Sequence, residues 1–214
     1  MPIIERGRID WTFKIQASQR TALSMNLHSL LEGERTRYVD HLVRAHAHAA
    51  AQSAACVAEL LLSINSEAIP YPYRYLRVDQ MQAGADGNPQ PSEARVGLAP
   101  AFEPRQFKFG DLVLEVHPFT WNSVRILFDQ PIRDSAGLDT WITTRLDIDG
   151  RNPDAQSGLS RAIHSFTQVA RVGTWWQLTG DFGTAPIEAL VEFIELLAGQ
   201  GSRRILITGG DATT

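Results

Sequence analysis

The residues of this chain that could do chemistry are six histidines, one cysteine and several groups of acidic side chains. His41, His46 and His48 share a helical stretch, but none lies four residues from another. That is the spacing at which two imidazoles on successive turns grip one ion, and no HExxH is present. On a helical wheel His46 points into the apolar face, which predicts a buried, hydrogen-bonded imidazole and not a ligand. Glycine patterns that cradle phosphates or dinucleotides do not occur. The expectation is therefore no metal and no cofactor. Cys56 falls on the buried face of the same wheel, where an inert thiol is expected. His117 beside Glu115, together with Arg145, would make an acid/base pocket if a cleft gathered them.

Asp147-Ile-Asp-Gly and, far downstream, Ile205-Leu-Ile-Thr-Gly resemble the first two motifs of haloacid-dehalogenase-type phosphatases. The resemblance implies an attacking Asp147 and a phosphate-binding Thr208. The chain departs from that pattern: its lysines are Lys14 and Lys108, so none follows the first motif, and only 65 residues follow Asp149. A turn ending a strand is the expectation for this stretch.

Two features suit binding better than chemistry. Glu188, Glu192 and Glu195 fall on the outer face of the last helix, with Asp181 just before it. Like charges on one helix face are mildly destabilising, so their clustering suits a basic partner. The run Pro118-Phe-Thr-Trp-Asn reads as a hairpin tip that presents Phe119 and Trp121 as interface anchors or folds them back onto the core.

The elements that would position these groups follow from periodicity. Ile9, Trp11, Phe13 and Ile15 alternate with polar residues as a half-buried strand. Leu23, Met25 and Leu27 can return as its hairpin partner, or residues 21–31 begin the helix that follows. Helical spacing over 34–64 places Tyr38, Val39, Leu42, Ala49, Cys56, Val57, Leu60 and Ile64 on one face. A strand is expected from Tyr73 to Met81, then a long loop rich in proline and glycine over 82–105. Leu112, Leu114 and Val116 form a hairpin with Val124, Ile126 and Phe128, with Glu115 opposite Arg125 and Leu114 opposite Ile126. A strand is expected from Trp141 to Asp149 and a helix over 159–173. A short strand at Trp175–Thr179 precedes the last helix, whose inward residues are Ile187, Leu190, Val191, Ile194 and Leu197. A final strand runs from Arg204 to Thr208. The fold class is α+β: one domain over 1–214, a mostly antiparallel sheet packed against one long N-terminal helix and two C-terminal helices.

Composition sets the outer bounds. The chain has 214 residues, 43% of them apolar, enough for a core without a disulfide or metal staple. A formal net charge of -4 argues against a nucleic-acid binder that works by overall basicity. One cysteine suits a reducing compartment, and no apolar run approaches the roughly 20 residues that span a bilayer, so a cytoplasmic protein with no membrane partner is expected. The function these readings favour is non-catalytic protein binding. Its most concrete form is a bacterial immunity protein that neutralises a basic toxin or effector through the acidic surface. The alternatives are an enzyme with a pocket near His117, Glu115 and Arg145, and a subunit of a nucleoprotein or secretion assembly with Arg35, Arg37 and Arg44 as its basic patch.

Overall fold

The computed structural model describes residues 17–52, 56–65, 74–84, 87–94, 102–150 and 158–210. In chain order these form α1 (Ala17–Gln52), β1 (Val57–Ser63), β2 (Tyr75–Ala83), β3 (Pro89–Ser92), β4 (Arg105–Phe109), β5 (Leu112–Val116) and β6 (Val124–Phe128). They continue as α2 (Ser135–Arg145), β7 (Ser165–Phe166), β8 (Ala170–Val172), β9 (Trp175–Asp181), α3 (Ile187–Gly199) and β10 (Arg204–Gly209). The α+β expectation is met. The alternating run Ile9–Ile15 lies outside the described residues.

Helix α1 begins earlier and ends earlier than its periodicity suggests. Leu23 to Leu27 is helix and not a returning strand. Leu27, Leu31, Tyr38, Leu42 and Ala49 are buried, at alternating spacings of four and seven, so one narrow stripe seats the helix. The expected continuation to residue 64 is instead β1, which pairs antiparallel with β2 from Val57↔Met81 to Ser63↔Tyr75. Apolar residues there satisfy both periods, and strand pairing decides between them. Cys56 therefore lies beyond the helix, half-buried, with Sγ 3.6 Å from His46 Nδ1, and Val57 and Leu60 are exposed. Part of the expected 82–105 loop is β3, an edge strand on β2 whose Pro89 and Pro91 sit where a missing N–H is tolerated.

The larger sheet runs β4-β5-β10-β6-β9-β7, with β8 also on β9. β10 lies between β5, to which it is parallel, and β6, to which it is antiparallel. The expected β5–β6 hairpin is thus split. Glu115 stands opposite Leu206 and Arg125 opposite Thr208, not opposite each other. The connection between β5 and β6 is long enough to wrap the end of β10, where Pro118 O accepts from Gly209 N and Ser123 O from Gly210 N. Inserting the last strand buries Ile205 and Ile207 completely in the middle of the sheet, which a two-stranded hairpin could not do.

Two further expectations give way. Residues 135–145 are helix, not strand: Asp134 caps the segment by accepting from Gly137 N, and Trp141 and Ile142 face the core. Asp147 follows it at φ 47 in a turn that ends a helix, not a strand. Residues 159–173 are loop and short strands (β7 and β8), not helix, because their amides bond to other segments: Ile163 N to Arg145 O, His164 N to Asp181 O, and Thr167 N to Thr179 O. α3 is as expected, with Ile187, Leu190, Ile194 and Leu197 buried and Val191 half-buried.

Candidate functional site

The pairing of β1 with β2 forces an electrostatic problem. Between the Ala58↔Gln80 and Leu60↔Val78 pairs, Glu59 and Asp79 come opposite one another. Residues directly opposite in an antiparallel pair point to the same face, and like charges there repel. Glu59 also sits at φ 49, a costly conformation for a non-glycine residue, which locally breaks the ladder.

His164 answers both carboxylates. Its backbone N–H donates to Asp181 O and its C=O accepts from Arg77 N, so the residue is pinned between β9 and β2. The ring reaches Glu59 Oε1 through Nε2 at 2.8 Å, and Nδ1 lies 2.9 Å from Asp79 Oδ1 and 3.7 Å from Asp181 Oδ2. Gly183, at φ 48, lies flat against the imidazole, and a Cβ there would overlap ring atoms Cδ2 and Nε2.

The remaining valences of the carboxylates are filled by the protein. Glu59 accepts from Thr184 Oγ1 at 2.5 Å, from Ser160 Oγ at 2.8 Å and from Ser160 N at 2.6 Å. Asp79 accepts from the Tyr38 hydroxyl at 2.7 Å and from Ala94 N at 2.6 Å. Asp181 Oδ1 accepts from Gly183 N at 2.9 Å. Arg77 holds the surroundings together by donating to the backbone oxygens of Glu59, Leu146 and Asp147. Side-chain exposure is 1% for His164, 3% for Glu59 and 2% for Asp79, whereas Asp181 keeps 23%.

The charges follow from these contacts. Burial opposes ionisation of Glu59 and Asp79, but His164 outweighs it, through its hydrogen bond to Glu59 and its charged contact with Asp79 at 2.9 Å, helped by Thr184 and Ser160 for Glu59 and by Tyr38 and Ala94 for Asp79, so both carboxyls fall below their ordinary range. Burial likewise opposes a charged imidazole, yet the carboxylate of Asp181 and the contacts with Asp79 and Glu59 raise His164 well above its ordinary value. Burial lifts Asp181, against the pull of His164. The Tyr38 hydroxyl is pushed up by burial and by the neighbouring carboxylates. An ionised Glu59 can only accept, so Nε2 is the donor in that bond, and Nδ1 is the nitrogen turned toward Asp79 and Asp181.

The acidic and aromatic residues singled out from the sequence are not together. Glu188 and Glu195 are exposed on α3, while Glu192 is tied to Arg145 through Nε at 2.9 Å and through Nη2. Asp181 belongs to the imidazole centre and not to the α3 surface. Phe119 and Trp121 are 1% and 0% exposed, packed on Phe102 and Phe182, so the connection between β5 and β6 folds back onto the core and presents neither as an anchor. Of the proposed pocket, Arg145 is held by Glu192 and Glu115 accepts from Gln106 on β4. Among the described residues no hydrogen bond or ion pair joins Arg145 to Glu115 or to His117. Arg35 donates to Ala185 O and Thr184 O, and Arg37 pairs with Glu34, so two of the three patch arginines have intramolecular partners. His164 and Glu59, the heart of the centre, carry no signal in the sequence: they are 105 residues apart and both lie in stretches that read as helix.

No protein-family model, curated protein or solved structure is significantly similar to this chain. Among the described residues, no helix is long and apolar enough to cross a membrane.

Proposed function

We propose that this chain acts by binding another protein and not by turning over a substrate. The observation that carries this reading is the burial of the groups at the heart of the imidazole centre, with Asp181 at its exposed edge. His164, Glu59 and Asp79 are 1%, 3% and 2% exposed, and the carboxylates are engaged by the protein's own donors. A general acid or base must come within hydrogen-bond reach of its substrate. Groups sealed in this way hold elements together instead.

The exposed carboxylates Glu188 and Glu195, two turns apart on α3, supply a surface that suits a basic partner. A basic toxin or effector bound by an immunity-type protein is the most concrete version. Glu192 is left out of the contact set because Arg145 occupies it.

The test is capture from the native host with the immobilised full chain, alongside the double variant Glu188→Lys, Glu195→Lys. A protein retained by the wild type and lost by the variant supports the acidic-face reading. Equal retention by both moves the contact to another surface.

A further inference from the structure

We propose that Asp79, His164 and Asp181 form a binding site for one divalent transition-metal ion, with Zn²⁺ the ion that fits the donor set best. This does not depend on the partner-binding reading above.

The first support is His164 Nδ1. The side chain is 1% exposed, yet Nδ1 makes no directed hydrogen bond: it is near Asp79 Oδ1 and Asp181 Oδ2 but aligned with neither. A buried polar atom without a directed partner is costly, and this one is aimed between two carboxylates.

The second support is distance. The three donor atoms lie within 4.8 Å of one another, with Nδ1 at 2.9 and 3.7 Å from the two oxygens. Ligands on a tetrahedral Zn²⁺ with bonds of about 2.0–2.2 Å stand roughly 3.3–3.6 Å apart. Closing these three on an ion takes opening the 2.9 Å pair by about half an ångström and drawing the two carboxylate oxygens, at most 4.8 Å apart, together by up to about 1.5 Å.

The third is the surrounding shell. A metal-bound histidine usually donates its other ring nitrogen to a carboxylate, which fixes the tautomer. Glu59 does this at Nε2. Asp79 is oriented by Tyr38 and Ala94 N, and Asp181 by Gly183 N. Access is from the side of Asp181, which keeps 23% of its side chain exposed.

Charge and donor type narrow the ligand. With a neutral imidazole, a dication together with Arg77 balances the carboxylates of Glu59, Asp79 and Asp181. One imidazole nitrogen with two carboxylate oxygens suits Zn²⁺ or Mn²⁺, whereas Ca²⁺ needs six to eight oxygens. Binding replaces a proton: the ion takes the Nδ1 lone pair of a protonated His164 and one H⁺ leaves to solvent. Asp79 comes from β2, Asp181 from β9 of the larger sheet, and His164 from the segment just before β7, so the ion would staple one sheet to the other.

The experiment titrates chelator-stripped full chain with ZnCl₂ by calorimetry in two buffers of different protonation enthalpy, with metal content measured after dialysis. The expected result is one Zn²⁺ per chain, release of a proton, and a raised thermal midpoint. Asp181→Asn, at the exposed edge of the centre, should weaken Zn²⁺ by about 100-fold or more, and Glu59→Gln by about 10–100-fold. His46→Ala should leave binding unchanged. X-ray absorption of the wild-type zinc form should show one imidazole with otherwise oxygen ligands, a readout that does not require any variant to fold. A folded wild type that takes up no Zn²⁺ overturns the proposal. So does a spectrum with sulfur or several imidazoles, which would move the ion to Cys56 and the α1 histidines.

Discussion

Glu59 and Asp79 stand opposite one another on adjacent antiparallel strands, and the same buried imidazole faces both, at 2.8 and 2.9 Å. A pair of like charges in that register needs a cation between them, and in the chain alone His164 supplies it. The ring arrives from a segment of the other sheet, so the repulsion within β1 and β2 is relieved only when the two sheets are docked. Local strain at Glu59, where φ is 49, belongs to the same arrangement, since the carboxylate is turned inward to Ser160, Thr184 and His164.

Replacing the imidazole should therefore destabilise the whole fold. His164→Gln leaves two facing carboxylates without their cation, and removing one partner of a buried charged set costs about 3–5 kcal/mol. Adding Glu59→Gln and Asp79→Asn to that variant should recover part of the loss, because the stranded charges go with it. Urea denaturation of the three proteins measures both effects. A loss below about 1 kcal/mol for His164→Gln, or no recovery, would show that the carboxylates do not depend on the ring.

The pH dependence of the metal-free chain has two limbs of opposite sign. Glu59 and Asp79 are held below the ordinary carboxylate range, so the stability they contribute is present above that range and is lost as pH falls through their depressed values. His164 is raised well above the ordinary imidazole value, so its contribution is complete below that value and is lost as pH rises through the raised one. Asp181 is also raised, so its contribution is lost as pH rises from the ordinary carboxylate value through the raised one, and the decline begins there. Maximum stability is therefore expected near the ordinary carboxylate value, about pH 4, with the decline continuing above the ordinary imidazole value of about 6.5. Denaturation midpoints across pH in chelator-treated protein would trace the curve, and the alkaline limb should shrink in His164→Gln. An alkaline limb of undiminished size in that variant would assign it to other groups.

The sequence was most legible where one pattern admits one structure. α3 has apolar residues at helical spacing and β10 alternates cleanly, and both are found as expected. It misled where two periods coexist. Ile142 and Leu146 fit a strand face and a helix face equally, and the Asp134 cap that decides for helix is a single hydrogen bond. Val57 to Ile64 continues the wheel of α1 but is claimed by β2, a long-range partner invisible to a local window. The split of β5 from β6 is the same kind of event, since the strand between them comes from the end of the chain. The imidazole centre was illegible for a stronger reason. Tyr38, Glu59, Asp79, His164 and Asp181 come from separate elements and share no spacing motif. Only the strand register, which places Glu59 against Asp79, makes them a unit.

The burial of Trp121 gives a sharp contrast between packing and surface roles. Its ring is 0% exposed and lies 5.3 Å from that of Phe182, while its backbone oxygen accepts from Phe182 N. The indole N–H, however, has no acceptor among the described residues, which costs about 1–3 kcal/mol for a buried donor. Trp121→Ala should lose about 3–5 kcal/mol through the cavity it leaves. Trp121→Phe removes the unsatisfied donor while keeping an aromatic ring against Phe182, so the two effects offset and the net change should stay within about 1 kcal/mol. Thermal or urea unfolding of the two variants measures the difference. An interface anchor would behave otherwise: both substitutions would leave stability unchanged and weaken partner capture instead, and that result would return Trp121 to the surface.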